Sequence, residues 1–326
     1  MRSYKDTAIN RPLCLFNNKE ITIKPRSIIK PPRLRPGDGI GVIAPAGPVN
    51  VSELEAGLNE LESAGFEIHL APSIFARNDY LAGEDDARLA DLHSMFTDRK
   101  IKAVFCARGG YGSLRLLDKI QYNLIRENPK FIVGYSDITV LLMAVYAKTG
   151  LITCHGPMVR DQTFRRKAGL DGLLHLLSTG QSLKLNLAES HPLVSGNVRG
   201  PLIGGNLSMI CHLIGTPFLP SLDDCILFVE EKGEFLYRLD RMLTHLKLSG
   251  RINRLSGLVA GQFESCGDIA NINRLLIDTA KDLGIPLFTG LPVGHGRKNH
   301  ALPLGLMAEI DTDQMCLSII EEASSQ

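Results

Sequence analysis

Phe131-Ile-Val-Gly-Tyr-Ser-Asp-Ile-Thr-Val-Leu-Leu-Met-Ala-Val-Tyr-Ala-Lys148 reads as a strand, a turn and a helix in one short stretch. Phe131 to Val133 is a brief apolar run that ends at Gly134, and helical patterning follows from Ile138 to Lys148. Upstream the same unit recurs. Gly39 to Ala44 is an apolar strand stopped by Pro45 and Pro48, and Ser52 to Ala64 carries Leu54, Leu58 and Leu61 at helical spacing before Gly65. Phe66 to Leu70 is a second strand, Asp85 to Phe96 a helix, Ala103 to Cys106 a third strand, and Ser113 to Ile120 a helix. Strand and helix alternate over short links, which predicts a doubly wound parallel sheet.

Downstream the rhythm changes. Arg160 to Val194 is richer in charge and weaker in period, so a link is expected at 166–195. Beyond it, short strands at Cys225 to Val229, Leu258 to Ala260 and Leu306 to Ile310 mix with helices at Phe235 to Leu246 and Ile272 to Leu283. The expected organisation is an extension at 1–31 (edge strand or tail), an α/β domain at 32–165, and an α/β domain with more strand at 196–326. A length of 326 residues suits two such domains.

Composition excludes several classes. Hydrophobic residues at 44% and charged residues at 22% rule out wholesale disorder, and a net charge of +1 gives no footprint for nucleic acid or anionic lipid. The longest apolar run, Ile138 to Ala147 with Thr139 inside it, is about half a membrane span. The seven cysteines are scattered with no two within four residues, so no zinc knuckle or redox pair is written locally. Buried free thiols suit a reducing compartment. The first thirty residues carry seven basic and two acidic side chains without a secretory apolar core, so a cytoplasmic address is expected.

Three glycine-rich places compete for function. Gly39-x-Gly41-x-x-Ala44 fits the loose dinucleotide fingerprint, but its glycines lie inside the strand and prolines stand where the phosphate-binding helix would start. Arg108-Gly-Gly-Tyr-Gly112 lies between strand and helix without the Gly-Lys-Ser/Thr of a P-loop. It is either a tight turn or a loop whose bare N–H groups face an anion. Gly134-Tyr-Ser-Asp137 has the outline of a nucleophile elbow, with Ser136 at a strand-to-helix turn. The competing reading is that Ser136 or Asp137 caps the helix.

A serine nucleophile needs a base, and the base an orienter. His69, His93, His175, His191, His212 and His245 lie in helix-like, strand-like or linker settings. His155, His295 and His300 are the candidates near turns, and His295 sits in a Gly294-His295-Gly296 loop. Glu230 follows the apolar run Cys225 to Val229, with Glu231 as the next candidate acid. Ser136, Glu230 and His295 follow the nucleophile–acid–base order of α/β-hydrolases.

Together these segments resemble the LD-carboxypeptidase family of serine peptidases, which holds murein tetrapeptide carboxypeptidases and microcin-C immunity peptidases. The resemblance rests on Leu34-Arg-Pro-Gly-Asp38, Val42-Ile-Ala-Pro-Ala46, Ala107-Arg-Gly-Gly-Tyr-Gly112 and Gly134-Tyr-Ser-Asp-Ile-Thr139. It continues through Gly204-Gly-Asn-Leu-Ser208, Leu227-Phe-Val-Glu-Glu231, Tyr237-Arg-Leu-Asp-Arg241, and Gly294-His295 ahead of Leu302-Pro-Leu-Gly305. The motifs keep the family's order over residues 32 to 312.

The resemblance implies a flavodoxin-like N-terminal domain, a C-terminal α/β domain and an active site between them. It implies a hydrolase without metal or cofactor, with Ser136 as nucleophile, His295 as base and Glu230 as its orienter. The oxyanion donors it implies are the N–H groups of Gly110 (with Gly109 as the neighbouring alternative) and Asp137. It also implies a homodimer and a small peptide partner, the murein tetrapeptide, cut at its L-diaminopimelate–D-alanine bond. Microcin-type relatives stack a nucleotide on an aromatic platform, often tryptophan; a chain with no Trp and 6% aromatics points to the murein peptide. The alternatives are an immunity peptidase acting on aminoacyl-nucleotide conjugates, another small-amide hydrolase with the same residues, and a silent binding protein in which Ser136 only caps its helix.

Overall fold

The computed structural model describes residues 27–165, 167–179, 183–186 and 192–325. Most of the N-terminal extension, with Cys14, and also His191 lie outside the described residues. The first part of the chain runs β1 (Gly39–Ile43), α1 (Val51–Ser63), β2 (Glu67–Leu70), α2 (Asp85–Thr97), β3 (Ile101–Cys106), α3 (Tyr122–Glu127), β4 (Phe131–Gly134), α4 (Thr139–Thr149) and β5 (Thr153–His155). Then come α5 (Gln162–Arg165), α6 (Lys167–Thr179), β6 (Lys184–Asn186), β7 (Pro192–Val194), β8 (Asn197–Asn206), α7 (Leu207–His212) and β9 (Ile226–Lys232). The chain ends through α8 (Leu236–Leu248), β10 (Gly257–Glu264), α9 (Ile269–Leu283), β11 (Leu287–Phe288), β12 (Leu302–Leu304), β13 (Met307–Asp311) and β14 (Cys316–Ile319).

The first sheet has the order β12-β5-β4-β3-β1-β2. β1 to β5 are all parallel, and β12 closes the edge antiparallel to β5. This is the doubly wound parallel sheet expected from the strand–helix alternation, in the flavodoxin-like order that the family resemblance implied. Its inner strands are buried on both faces, as β3 and β4 show with Ala103 to Cys106 and Phe131 to Val133 within 1% exposure, while the edge strand β2 is partly exposed. The helix α4 is buried along nearly its whole length, which accounts for its unbroken apolar run.

The second sheet has eight strands, β6-β14-β13-β8-β9-β10-β11-β7. β8 to β11 are parallel at its centre, and the strands outside them pair antiparallel. The larger strand share of the C-terminal half is therefore present, arranged as a mixed sheet. The helices α7, α8 and α9 follow β8, β9 and β10 in turn. Together the two sheets give a mixed α/β fold of two domains, and β12 returns from the C-terminal half to the first sheet.

Several elements differ from the sequence reading. Ser113 to Ile120 holds only a 3-10 turn, Ser113–Leu116, and the regular helix is α3 further on. The stretch from 160 to 194 contains α6, which buries Leu170, Leu173, Leu176 and Leu177 along one face. That three-to-four spacing is helical, and the charged flanks obscure it. β9 runs on to Lys232, so Glu230 and Glu231 lie within the strand on opposite faces instead of following its end. α9 begins three residues early because the Asp268 carboxylate accepts the Ala270 N–H at 2.9 Å.

Candidate active site

The carboxyl ends of β3 and β4 meet the carboxyl end of β9 where the domains join. Ser136 leaves β4 with φ +62°, a left-handed conformation that costs a non-glycine residue about 1 kcal/mol or more. No side-chain cap forms at Tyr135 or Ile138, the residues that start the 3-10 turn and α4. The helix-capping reading of Ser136 therefore finds no support in the geometry. Asp137 does not cap either. Its buried carboxylate reaches back and accepts the Ser113 N–H at 2.9 Å, tying the elbow to the glycine-rich turn. Burial pushes this carboxyl up, and hydrogen bonds from Ser113 and Gly112 pull against that rise.

Behind the glycine-rich turn lies Arg88, which is 1% exposed, packs its Nη1 where a Cβ on Gly112 would stand, and bonds to the Pro45 carbonyl and to Asp85. The turn then presses on the serine. A Cβ on Gly109 would stand 3.0 Å from Ser136 Cβ, 3.1 Å from its Oγ and 3.5 Å from the Asp137 nitrogen. Gly109 is thus the residue that touches the serine, and the requirement there is close approach. Gly110, its neighbour, has φ +112°. We expect Gly109→Ala to lower kcat at least tenfold while changing the melting temperature little, because the added carbon occupies space beside Oγ and not space in the core. Steady-state kinetics with calorimetry would check this; an unchanged kcat would mean that the turn has room to retreat.

From the second domain, β9 carries Glu230, which is fully buried. Its Oε2 lies 2.7 Å from His295 Nδ1. The histidine loop can come this close because residue 294 is glycine: at φ +118°, a Cβ there would sit 2.7 Å from the same oxygen. Hydrogen bonds from Gly294 N–H to Asn299 Oδ1 and from Gly296 N–H to Gln262 Oε1, both 2.9 Å, brace the loop on either side of His295. The His295 ring lies against Tyr135, the residue before the serine, with centroids 4.8 Å apart. Domain closure is itself built into the site: the Asn206 N–H donates to Thr139 Oγ1 at 3.1 Å, three residues beyond Ser136.

The other sequence candidates take different places. Glu231 points away from His295 and bonds Asn206 Nδ2, the Ser208 N–H and hydroxyl, and its own neighbour's Lys232 N–H. Its job is to hold the start of α7. His300 is set into its loop by an N–H bond to the Pro292 carbonyl, and burial lowers its basicity. The glycines Gly39 and Gly41 lie inside β1, as their sequence context indicated. Arg238 pairs with Glu234 at 3.2 Å and, like Arg241, lies over the Tyr237 ring. Among the described residues no group of His, Cys, Asp and Glu is arranged to hold a metal.

Two groups stand behind the dyad: His155, a candidate in the sequence, and Asp161, which the sequence reading missed. His155, at the end of β5, is fully buried with both ring nitrogens unpartnered; its ring meets Phe228 at 5.0 Å and Tyr135 at 5.7 Å. A column of rings therefore backs His295, running Phe228–His155–Tyr135–His295. Desolvation drives the His155 pKa down to about 3. Asp161 faces the Tyr135 hydroxyl and accepts the Met158 N–H at 2.9 Å, with burial raising its carboxyl. Neither carries a local motif, since their positions follow from sheet register.

The His155 shift has a measurable consequence. Its folded pKa lies below the unfolded value, so the neutral ring costs nothing above about pH 6.5, and stability drains as pH falls toward 3. We expect His155→Phe to remove roughly 2 kcal/mol of the stability lost between pH 6.5 and 5. Denaturant unfolding at the two pH values would check this, and equal losses in the two proteins would contradict it.

Comparison with known proteins gives the family. Residues 40–156 match the LD-carboxypeptidase N-terminal domain and residues 199–310 match the LD-carboxypeptidase C-terminal domain. A probable murein peptide carboxypeptidase of Bacillus subtilis is 37% identical, covering 91% of this chain and 96% of that protein. The murein tetrapeptide carboxypeptidase of Pseudomonas aeruginosa is 35% identical, covering 86% and 96%. Among solved structures, an MccF-like protein from Bacillus anthracis superposes with a TM-score of 0.85 at 28% identity, covering 90% of this chain and all of that one. With both domain models matched in order and full-length relatives above 30% identity, the chain belongs to the LD-carboxypeptidase family of serine-type peptidases.

Proposed function

We propose that this enzyme removes the C-terminal D-alanine of murein tetrapeptide, using Ser136 as nucleophile, His295 as general base and Glu230 as the orienter of His295. The observation that carries the reading is the 2.7 Å contact between buried Glu230 and His295 Nδ1, beside an elbow serine at positive φ. Ser136 Oγ attacks the amide carbon as His295 takes its proton. The tetrahedral oxyanion is met by the N–H groups of Gly110 and Asp137, donors fixed before reaction. Collapse transfers the proton to the leaving amine and releases D-alanine, and water then hydrolyses the acyl-serine by the same route. The similarity of relatives named for murein peptides supports this substrate over a nucleotide conjugate, as does the absence of tryptophan.

Mass-spectrometric assay of purified protein on murein tetrapeptide and on an aminoacyl-nucleotide mimic, with and without EDTA, tests the proposal. D-Alanine release that survives EDTA and is lost in Ser136→Ala is the expected result. Cleavage of the nucleotide conjugate alone would place the enzyme with the MccF-like proteins it resembles in structure. The reading includes a cytoplasmic homodimer. The exposed cluster of Phe235, Leu236 and Tyr237 at the start of α8 offers an apolar surface for association. Light scattering and cell fractionation check both parts. No helix among the described residues is long and apolar enough to cross a membrane.

A further inference from the structure

The first sheet reverses its winding between β1 and β3, the place where open α/β sheets bind ligands. The loops after these two strands meet there, with the Gly47 N–H donating to the Gly109 carbonyl at 3.1 Å. The Arg108 guanidinium lies across the join. Its Nη1 donates to the Pro48 carbonyl at 2.9 Å, and Cβ atoms on Gly47 and Gly110 would approach its Nε and Nη2 to 3.2 and 3.5 Å. The next residue in the chain is Gly109, which touches Ser136. The guanidinium is thus carried by the same rigid turn that faces the reacting serine.

The charge around Arg108 is poorly balanced. Arg160, whose N–H bonds the Ala107 carbonyl at 3.1 Å, and Arg77, from the loop before α2, both repel it. The anions facing it are Glu53 and Asp161. Glu53 is already engaged, by Arg160 Nε at 3.5 Å and by the Asn50 N–H at 2.9 Å. Asp161 is turned to Tyr135 and Met158. Among the described residues neither Arg108 nor Arg77 has a carboxylate in ion-pair contact. A guanidinium offers five donors in a flat fork, and the Pro48 bond uses one of them. Such a site is pre-organised for a carboxylate from outside the chain.

We propose that Arg108, flanked by Arg160 and Arg77, binds the free α-carboxylate of the substrate's C-terminal residue and thereby makes this peptidase an exopeptidase. The chemistry places it well: the α-carboxylate of the leaving residue is separated from the scissile nitrogen by a single carbon. Its receptor must therefore stand beside the oxyanion donors, which is where Gly109 and Gly110 put Arg108. The subsite rests on the carboxypeptidase reading above and deepens it.

The test compares tetrapeptide with its C-terminal amide. Wild-type enzyme is expected to favour the acid by at least ~30-fold in kcat/KM, the worth of a charge-assisted hydrogen bond. Arg108→Ala should lose that factor on the acid and nothing on the amide. Arg108→Lys, which keeps the charge but not the fork, should fall between and serves if the alanine variant does not fold. Arg238→Ala, on α8, should leave the ratio unchanged. A wild type indifferent to the amide, or an Arg108 variant that loses equally on both substrates, overturns the subsite. Failure of the wild type to release D-alanine at all would overturn the murein peptidase reading instead. The subsite is then judged by calorimetric binding of Nα-acetyl-L-lysyl-D-alanine and its amide to Ser136→Ala, with and without Arg108→Ala. Equal affinity for acid and amide would end it, and preference for the acid that Arg108→Ala removes would sustain it.

Discussion

Ser136→Ala is expected to lower kcat by about 10⁴- to 10⁶-fold, the range seen when a serine hydrolase loses its nucleophile. It should do so with little change in stability. The side chain caps no helix, so removing its hydroxyl forfeits no cap bond. Alanine also meets the same backbone strain as serine at φ +62°. Ser136→Gly separates strain from chemistry. Glycine adopts this conformation freely, so that variant should be equally inactive yet roughly 1 kcal/mol more stable than Ser136→Ala. Single-turnover assays and denaturant unfolding on the two variants provide the comparison. A Ser136→Ala protein that kept its turnover but lost ~1 kcal/mol of stability would return the serine to the role of a cap.

The second large effect is at Glu230. Glu230→Gln keeps the volume and the hydrogen-bonding reach of a side chain that is wholly buried against His295 Nδ1. What it changes is the tautomer. A carboxylate can only accept from Nδ1–H, which leaves Nε2 free to take the serine proton; an amide can donate to Nδ1 and place the proton on Nε2. Loss of about 10³- to 10⁴-fold in kcat is expected, with KM nearly unchanged. Stability should hold or rise slightly, because the substitution removes a buried charge and preserves packing. Retention of more than a tenth of wild-type kcat would show that His295 does not depend on Glu230 for its orientation.

The histidine loop shows how far local sequence reaches. Gly294-His295-Gly296 announces a flexible turn bearing a base, but not why its first residue is glycine. The reason is Glu230 Oε2, on a strand more than sixty positions earlier, within 2.7 Å of where a Cβ would stand. Likewise the difference between Glu230 and Glu231 cannot be read from two adjacent carboxylates. Strand pleat sends one toward His295 and the other to Asn206 and Ser208, and only the extension of β9 through both residues decides which. His155 was legible only as one candidate near a turn, and Asp161 carried no signal at all. Their places against Tyr135 depend on the register of β4 against β5 and on the turn that follows.

By itself the sequence determined the strand–helix alternation of the first domain, the parallel sheet that follows from it, and the elbow at Ser136. The alternation and the elbow rest on local hydrophobic period and turn chemistry, and the parallel sheet follows from the alternation because each crossover helix returns the chain in the same direction. Tertiary structure decided which carboxylate meets His295, which glycine touches Ser136 Oγ, and which arginines crowd the turn between β1 and β3. Those outcomes depend on loops and strands from two domains brought within hydrogen-bond distance. Their geometry is set by packing across the interface and leaves no periodic mark in the chain.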